Sequence, residues 1–290
     1  VAIRSYKDLV DAEEAGQTFI GGFRKQLIPT ANNSWFDVTL SPGNPLPFYY
    51  ASSALSGAQL RQSVHGGIPH NQPVAGLGYK TYLKTLTVTP SIQQFCAGPM
   101  ILMDYLYYYP FIDAGNTDEQ FMNQGEGLPR YTSGKGVSVM AVQMAGLLGS
   151  GSPTFRFTYI NQDELLRTSP TQTCGSANLT GQLATGNTNN IAMPNSNYPF
   201  LTLARGDTGV RTIESVTFDS ADIGLLAFVL VKPLEQIILR ENTTGERTPV
   251  TDFFDLPVIE DDAYLSILMN SGSSQTNQSS FIGTIQTVWG

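Results

Sequence analysis

Pro99-Met100-Ile101-Leu102-Met103-Asp104-Tyr105-Leu106-Tyr107-Tyr108-Tyr109-Pro110 is the stretch on which the reading of this chain turns. Its ten residues between prolines are too apolar and too aromatic for a strand with one face in water, so it belongs in a sandwich core or against a neighbour. Leu225-Leu226-Ala227-Phe228-Val229-Leu230-Val231-Lys232-Pro233 has the same character and also ends on proline.

Around these two stretches the pattern is period two. Tyr82-Leu83-Lys84-Thr85-Leu86-Thr87-Val88-Thr89 alternates apolar and polar residues, as does Trp35-Phe36-Asp37-Val38-Thr39-Leu40, which marks half-buried strands. Val137 to Met144 and Thr154 to Ile160 read as a hairpin-like pair around Gly149-Ser150-Gly151-Ser152-Pro153. One helix is expected: Ser5 stands as N-cap with Asp8 three residues on, Leu9, Val10 and Ala12 follow, and Gly16 stops it. After that, Gly and Pro punctuate the chain too often for any helical period to persist.

The second half repeats the element order of the first. Val88 and Phe218 lie 130 residues apart, Pro110 and Pro233 lie 123 apart, and 128 separate both Pro129 from Pro257 and Phe157 from Ile285. A tandem duplication of a unit of roughly 125 residues follows, within the usual domain size. The expected fold is all-β: two tandem, similar β-sandwich or jelly-roll-like domains, residues 35–165 and 166–290, preceded by an N-terminal helix and arm, residues 1–34. Residues 168–197, rich in Ser, Thr, Asn, Gln and Gly, read as a linker or long surface loop, and 51–78 as a second irregular segment.

Composition bounds the function. Of 290 residues, 41 % are hydrophobic and only 14 % charged, against roughly 25 % charged in ordinary soluble domains. Such a chain covers its surface with small polar groups or hides it against other chains. A net charge of −8 with no Lys/Arg run argues against gripping nucleic acid. No apolar run is long enough for a membrane-spanning helix, and the start, Val1-Ala2-Ile3-Arg4-Ser5, lacks the plan of a signal peptide. Cys96 and Cys174 read as buried, reduced thiols in a reducing cytoplasm.

Candidates for chemistry are sparse. His65 and His70 lack the further Cys or carboxylate ligands a metal needs nearby, so no metal or cofactor site is assigned. No nucleophile elbow or phosphate loop is present, and Gly149-Ser150-Gly151-Ser152 reads as a hairpin loop. Asp104, Asp118-Glu119 and Glu260-Asp261-Asp262 supply the carboxylates of a conceivable glycosidase pair. Arg205-Gly206-Asp207 reads as turn chemistry, and the glycosylation patterns at Asn178 and Asn242 carry little without a signal peptide. Tyr105, Tyr107, Tyr108, Tyr109 and Phe111 are the candidate interface, or a sugar-stacking platform, because tyrosine joins a large contact area to a polar tip.

Gly21-Gly22-Phe23-Arg24, Tyr82-Leu83-Lys84-Thr85-Leu86, Asp104 to Phe111, Gly206-Asp207-Thr208-Gly209-Val210-Arg211 and Val229 to Leu234 resemble stretches of tailed-bacteriophage virion structural proteins. The resemblance implies a non-enzymatic, capsid-associated decoration or cement protein. It would be made in the host cytoplasm and reside in the virion. Its partners would be copies of itself and other virion proteins, the major capsid protein among them, with no direct nucleic-acid or membrane contact. The chain lacks the long spine helix of the common shell subunit, which favours an auxiliary role. A carbohydrate-binding adhesin module and a β-sandwich glycosidase stand as alternatives.

Overall fold

The computed structural model describes residues 3–26, 30, 34–71, 78–90, 98–146, 153–175, 179–187, 199–241, 244–248, 256–271 and 280–290. Cys96, the loop residues 149–152, Asn178 and Asn242 lie outside them.

In chain order the elements are α1 (Tyr6–Glu14), β1 (Thr18–Gln26), β2 (Ser34–Asp37), β3 (Gly43–Asn44), β4 (Ala58–Gln59), α2 (Gln62–His65), β5 (Thr81–Pro90), β6 (Gly98–Asp113), β7 (Gln120–Phe121), β8 (Ser138–Ala145) and β9 (Thr154–Asn161). They continue with β10 (Leu166–Thr168), β11 (Gln172–Thr173), β12 (Gln182–Asn187), β13 (Val210–Phe218), β14 (Leu225–Leu239), β15 (Glu246–Arg247), β16 (Val258–Ile259), β17 (Tyr264–Ser271) and β18 (Ser280–Trp289). Among the described residues the chain is all-β apart from α1, the single turn of α2 and a 3-10 turn at Val38–Leu40, where the expected strand from Trp35 to Leu40 ends early. The Ser5 hydroxyl caps α1 by accepting from Asp8 N at 3.2 Å, and Gly16, at φ +73°, ends it in a conformation that favours glycine.

Six strands close on themselves in the order β14-β8-β12-β2-β17-β6, with β6 pairing back to β14. The result is an antiparallel barrel. Its interior is filled by Trp35, Met103, Tyr105, Met140, Val142, Leu183, Val229, Val231, Tyr264 and Leu268. Two further sheets cover its outside, one of six strands (β15-β5-β18-β1-β3, with β16 also on β5) and one of five (β10-β9-β13-β7, with β11 also on β9). Because β6 and β14 run 16 and 15 residues, their ribbon reaches under both. Met100, Leu102, Ile237 and Leu239 pack beneath the six-stranded sheet, and Leu106, Ile112, Phe228 and Leu230 beneath the five-stranded one.

This middle position explains why the Pro99–Pro110 stretch carries large apolar residues on both faces: one face fills the barrel and the other supports an outer sheet. The same holds for β8, where Val139 and Ala141 join the outer core while Met140 and Val142 point into the barrel. The expected hairpin of β8 with β9 is therefore not formed. β8 pairs with β14 and β12, whereas β9 pairs with β13 in the layer above.

The boundary drawn between residues 165 and 166 does not divide the structure either. Every sheet contains strands from both sides of it. The arm at residues 1–34 is likewise no separate unit, since β1 pairs along its whole length with β18. Within residues 168–197, read as a linker or long surface loop, β12 is a barrel stave whose buried Gln182 donates to Ser34 Oγ at 3.1 Å. Its polar composition concealed it.

The repeated element order has a counterpart in the pairing. A shift of 126 to 129 residues carries the starts of β5, β6, β7, β8 and β9 onto those of β13, β14, β15, β17 and β18 (Thr81 to Val210, Gly98 to Leu225, Gln120 to Glu246, Ser138 to Tyr264, Thr154 to Ser280). The register follows. Tyr105 opposite Tyr264 and Met100 opposite Met269 correspond to Val231 opposite Ser138 and Leu226 opposite Gln143. Each half thus donates its last strand to the sheet of the other, β9 to β13 and β18 to β5.

Backbones approach closely where the loop before β8 crosses the start of β13. A Cβ on Gly209 would stand 1.9 Å from the Gly134 carbonyl oxygen, with no flexible side chain to give way. Gly209→Ala is expected to cost about 1–3 kcal/mol, seen as a lowered denaturant midpoint with the slope unchanged.

Candidate functional site

The tyrosines proposed as an interface are interior groups. Tyr105, Tyr107, Tyr108 and Tyr109 are 0 %, 1 %, 3 % and 0 % exposed, buried by this chain's own residues. Asp37, also buried, is the hub beneath them. Its carboxylate accepts from Tyr105 OH and Thr39 N at 2.8 and 2.9 Å and from Tyr50 OH. Burial pushes the Asp37 carboxyl upward, against these donors. Tyr108 OH donates to Ala51 O at 3.2 Å, and Tyr109 OH bonds Gln124 while accepting from Ile213 N at 3.2 Å. The Tyr107 ring packs on Gly57, where a Cβ would stand 2.2 Å from it. These side chains tie loops to the barrel, and none presents a face to a partner or a sugar.

Phe111 differs. Between Tyr109 opposite Phe228 and Ile112 opposite Leu226, β6 holds two residues against one, a bulge that places Phe111 at φ +59° and 37 % exposed.

Asp104 is fully buried on the barrel's outer face. Arg130 grips it with two bonds, Nε to Oδ2 at 2.8 Å and Nη2 to Oδ1 at 2.7 Å, and Tyr264 N donates to Oδ1 at 3.1 Å. Arg130 Nη2 also donates to Leu60 O and Tyr105 O, so the pair joins four segments of the chain, at Leu60, β6, Arg130 and Tyr264. Burial raises the Asp104 carboxyl to about 6, with Glu260 pushing in the same direction and Arg130 and Tyr264 N opposing. Of the other candidate carboxylates, Glu260 is thus the one that acts electrostatically on Asp104. Asp104, however, has both oxygens occupied and no exposed surface. Asp262 turns at φ +61° and accepts from Ser63 N and Oγ at 2.7 and 2.9 Å. Glu119 accepts from Ser215 Oγ at 2.6 Å.

His65 Nδ1 accepts from Arg61 N at 3.1 Å, whereas His70 Nε2 faces Ala263 O at 2.9 Å, so the two rings serve different contacts. Among the described residues no three His, Cys, Asp or Glu side chains converge as metal ligands. Cys174 is buried and its thiol is pushed up by desolvation. Asp207 of Arg205-Gly206-Asp207 is taken up internally, accepting from Tyr159 OH at 2.5 Å and Asn161 Nδ2 at 2.9 Å.

Lys25 is a second buried ionisable group. Its ammonium donates to Ser41 O at 3.0 Å and Pro45 O at 2.8 Å, and desolvation lowers it to about 8, with Asp37 opposing. The folded chain therefore releases this proton more readily than the unfolded one. Stability should rise as pH climbs from 8 toward 10.5, and the charged lysine's cost is fully present below 8. Lys25→Met is expected to flatten that rise, on the order of 2–3 kcal/mol, in denaturation midpoints followed from pH 7.5 to 10.5.

Exposed apolar side chains are found, among other places, on the outside of the two outer sheets. There Ile20 and Ile282 stand 65 % and 47 % exposed on the six-stranded sheet, and Phe121 and Leu166 67 % and 65 % on the five-stranded one. These positions escaped the sequence reading although a signal was present. Phe281, Gly283 and Ile285 set the inward phase of β18, and Ile282 is apolar out of phase with them. Comparison with known protein families, with curated proteins and with solved structures finds no match.

Proposed function

We propose that this chain is a non-enzymatic structural protein of a tailed-bacteriophage virion, an auxiliary decoration or cement protein that stabilises the shell through contacts with identical copies and with the major capsid protein. The observation that carries the assembly part is the exposure of Ile20 and Ile282, out of phase with the buried residues of β1 and β18, on the outer face of the six-stranded sheet in a chain only 14 % charged. Covering such residues gains apolar burial at little cost in stripping water from charges. An interleaved scaffold, in which each half holds the other's last strand, suits a rigid subunit. The virion itself rests on the resemblance of the stretches at Gly21, Tyr82, Asp104, Gly206 and Val229.

Mass measurement in solution, with probing of purified particles for the chain, tests this reading. Expected are an oligomer, its dissociation by Ile20→Lys combined with Ile282→Lys, and the protein's presence in particles. A strict monomer absent from particles overturns it.

A further inference from the structure

The two outer sheets share a pairing scheme, so each shows which residues the other's backbone requires. Ser215 opposite Phe121 corresponds to Thr87 opposite Arg247, Ser215 opposite Thr158 to Thr87 opposite Thr284, and Thr217 opposite Arg156 to Thr89 opposite Ile282. The hydroxyls recur. At the positions of Phe121 and Arg156 the six-stranded sheet carries Arg247 and Ile282, so the fold does not demand a ring at the one or a guanidinium at the other.

Arg156 lines a surface groove of about 230 Å³ together with Phe157, Thr158, Thr168, Ser215, Thr217 and Asp219, and Phe121 is paired with the lining residue Ser215. Arg156 Nε donates to Thr171 Oγ1 at 3.0 Å, which orients the guanidinium, and its terminal amino groups have no partner among the described residues. Asp219 Oδ2 accepts from Thr154 Oγ1 at 2.5 Å, leaving its second oxygen without a partner there. Across the floor, Thr158 Oγ1 and Ser215 Oγ lie 2.6 Å apart, and Ser215 Oγ donates to Glu119 Oε1. Phe121 stands beside Ser215 on the next strand, one strand spacing of about 4.8 Å away, on the same outward face.

We propose that this groove binds a neutral oligosaccharide, one sugar ring resting on Phe121 while the hydroxyls of its neighbour bond Arg156, Asp219 and the threonines. A polyol suits the lining because each of its hydroxyls both donates and accepts, matching fixed guanidinium donors and a carboxylate acceptor set side by side. The axial C–H face of a pyranose is the apolar surface that one exposed ring in a polar setting can cover. A protein partner fits less well, since protein interfaces centre on clustered apolar anchors, and the side chains named around this groove are hydroxyls, a guanidinium and a carboxylate with one ring beside them. The inference does not rest on the virion reading, and particle association does not decide it.

The test is titration of the full chain with maltohexaose, cellohexaose and linear β-galactan oligosaccharides, followed by calorimetry and by saturation-transfer NMR. At least one should bind with a dissociation constant of about 0.1–1 mM. Phe121→Ala and Arg156→Ala should each weaken it by roughly tenfold or more, and Phe121→Tyr should retain it. Ile282→Ala, at the corresponding place on the other sheet, should leave it unchanged, and equal melting temperatures would show all four variants folded. The proposal is overturned if none of these sugars binds at about 10 mM, or if binding survives both Phe121→Ala and Arg156→Ala. Capture of a protein at this face, lost in Phe121→Ala without any sugar response, overturns it as well.

Discussion

Neither residues 1–187 nor residues 199–290 are expected to fold alone, whereas the two fragments together should restore the native structure. The first fragment loses β18 from between β1 and β5, β13 from beside β9, and both β14 and β17 from the flanks of β6. What remains exposes the apolar faces that fill the three cores and leaves unpaired edges on its longest strands, so collapse without cooperative folding is the physical outcome. The second fragment is in the same position, since β13, β14, β17 and β18 each rely on partners from the first. Near-ultraviolet circular dichroism and amide exchange distinguish the cases. Separate fragments should lack a fixed aromatic signal and protected amides, and the mixture should regain both. A fragment spanning 35–165 that unfolds cooperatively by itself would instead restore two consecutive domains.

Arg130→Met is expected to be the most damaging single substitution, about 3–5 kcal/mol at pH 7, because it leaves the Asp104 carboxylate buried without a counter-charge. The pH dependence separates this cause from lost packing. Asp104 is already raised to about 6 by burial, with Arg130 opposing, so removing Arg130 raises it further. A carboxyl whose folded value lies above its unfolded value of 3.8 takes up a proton on folding, and stability falls as pH rises between the two. The deficit of Arg130→Met should therefore shrink as the pH is lowered from 7 to 5. Pairing it with Asp104→Leu should recover most of the loss, since no charge then stays buried alone. Urea denaturation of the unsubstituted chain, Arg130→Met and the double variant at pH 5 and pH 7 provides the measurement. A deficit equal at both pH values would mean that Arg130 acts through packing alone.

The candidate site shows how far a one-dimensional pattern reaches. The Tyr105–Tyr109 run was visible as apolar and aromatic, and the pattern allowed two destinations, a core or a neighbouring molecule. It is a core because β6 lies in a middle layer, with Tyr105 inside the barrel and Tyr107 and Tyr109 under the five-stranded sheet. Asp104 stood out as a carboxylate among large apolar groups. Its partner lies 26 residues away on a loop, and no spacing rule joins the two. Phe121 and Arg156 drew no attention because one sits in a two-residue strand and the other at an ordinary outward position of β9.

The sequence by itself determined the all-β class, the capped N-terminal helix, most of the long strands with the faces they bury, and the order in which the second half repeats the first. Those properties are local: alternation records which side of a strand meets apolar surroundings, and Ser5 caps through a neighbour three residues on. Only the tertiary structure decided which strands lie side by side. β9 and β18 pass over the adjacent strand to join the opposite half, and β6 closes a barrel with β14, because backbone pairing carries no residue code that identifies a partner. The free energy gained by covering both faces of β6 and β14 selects the arrangement, and that gain is realised only when all three layers are assembled.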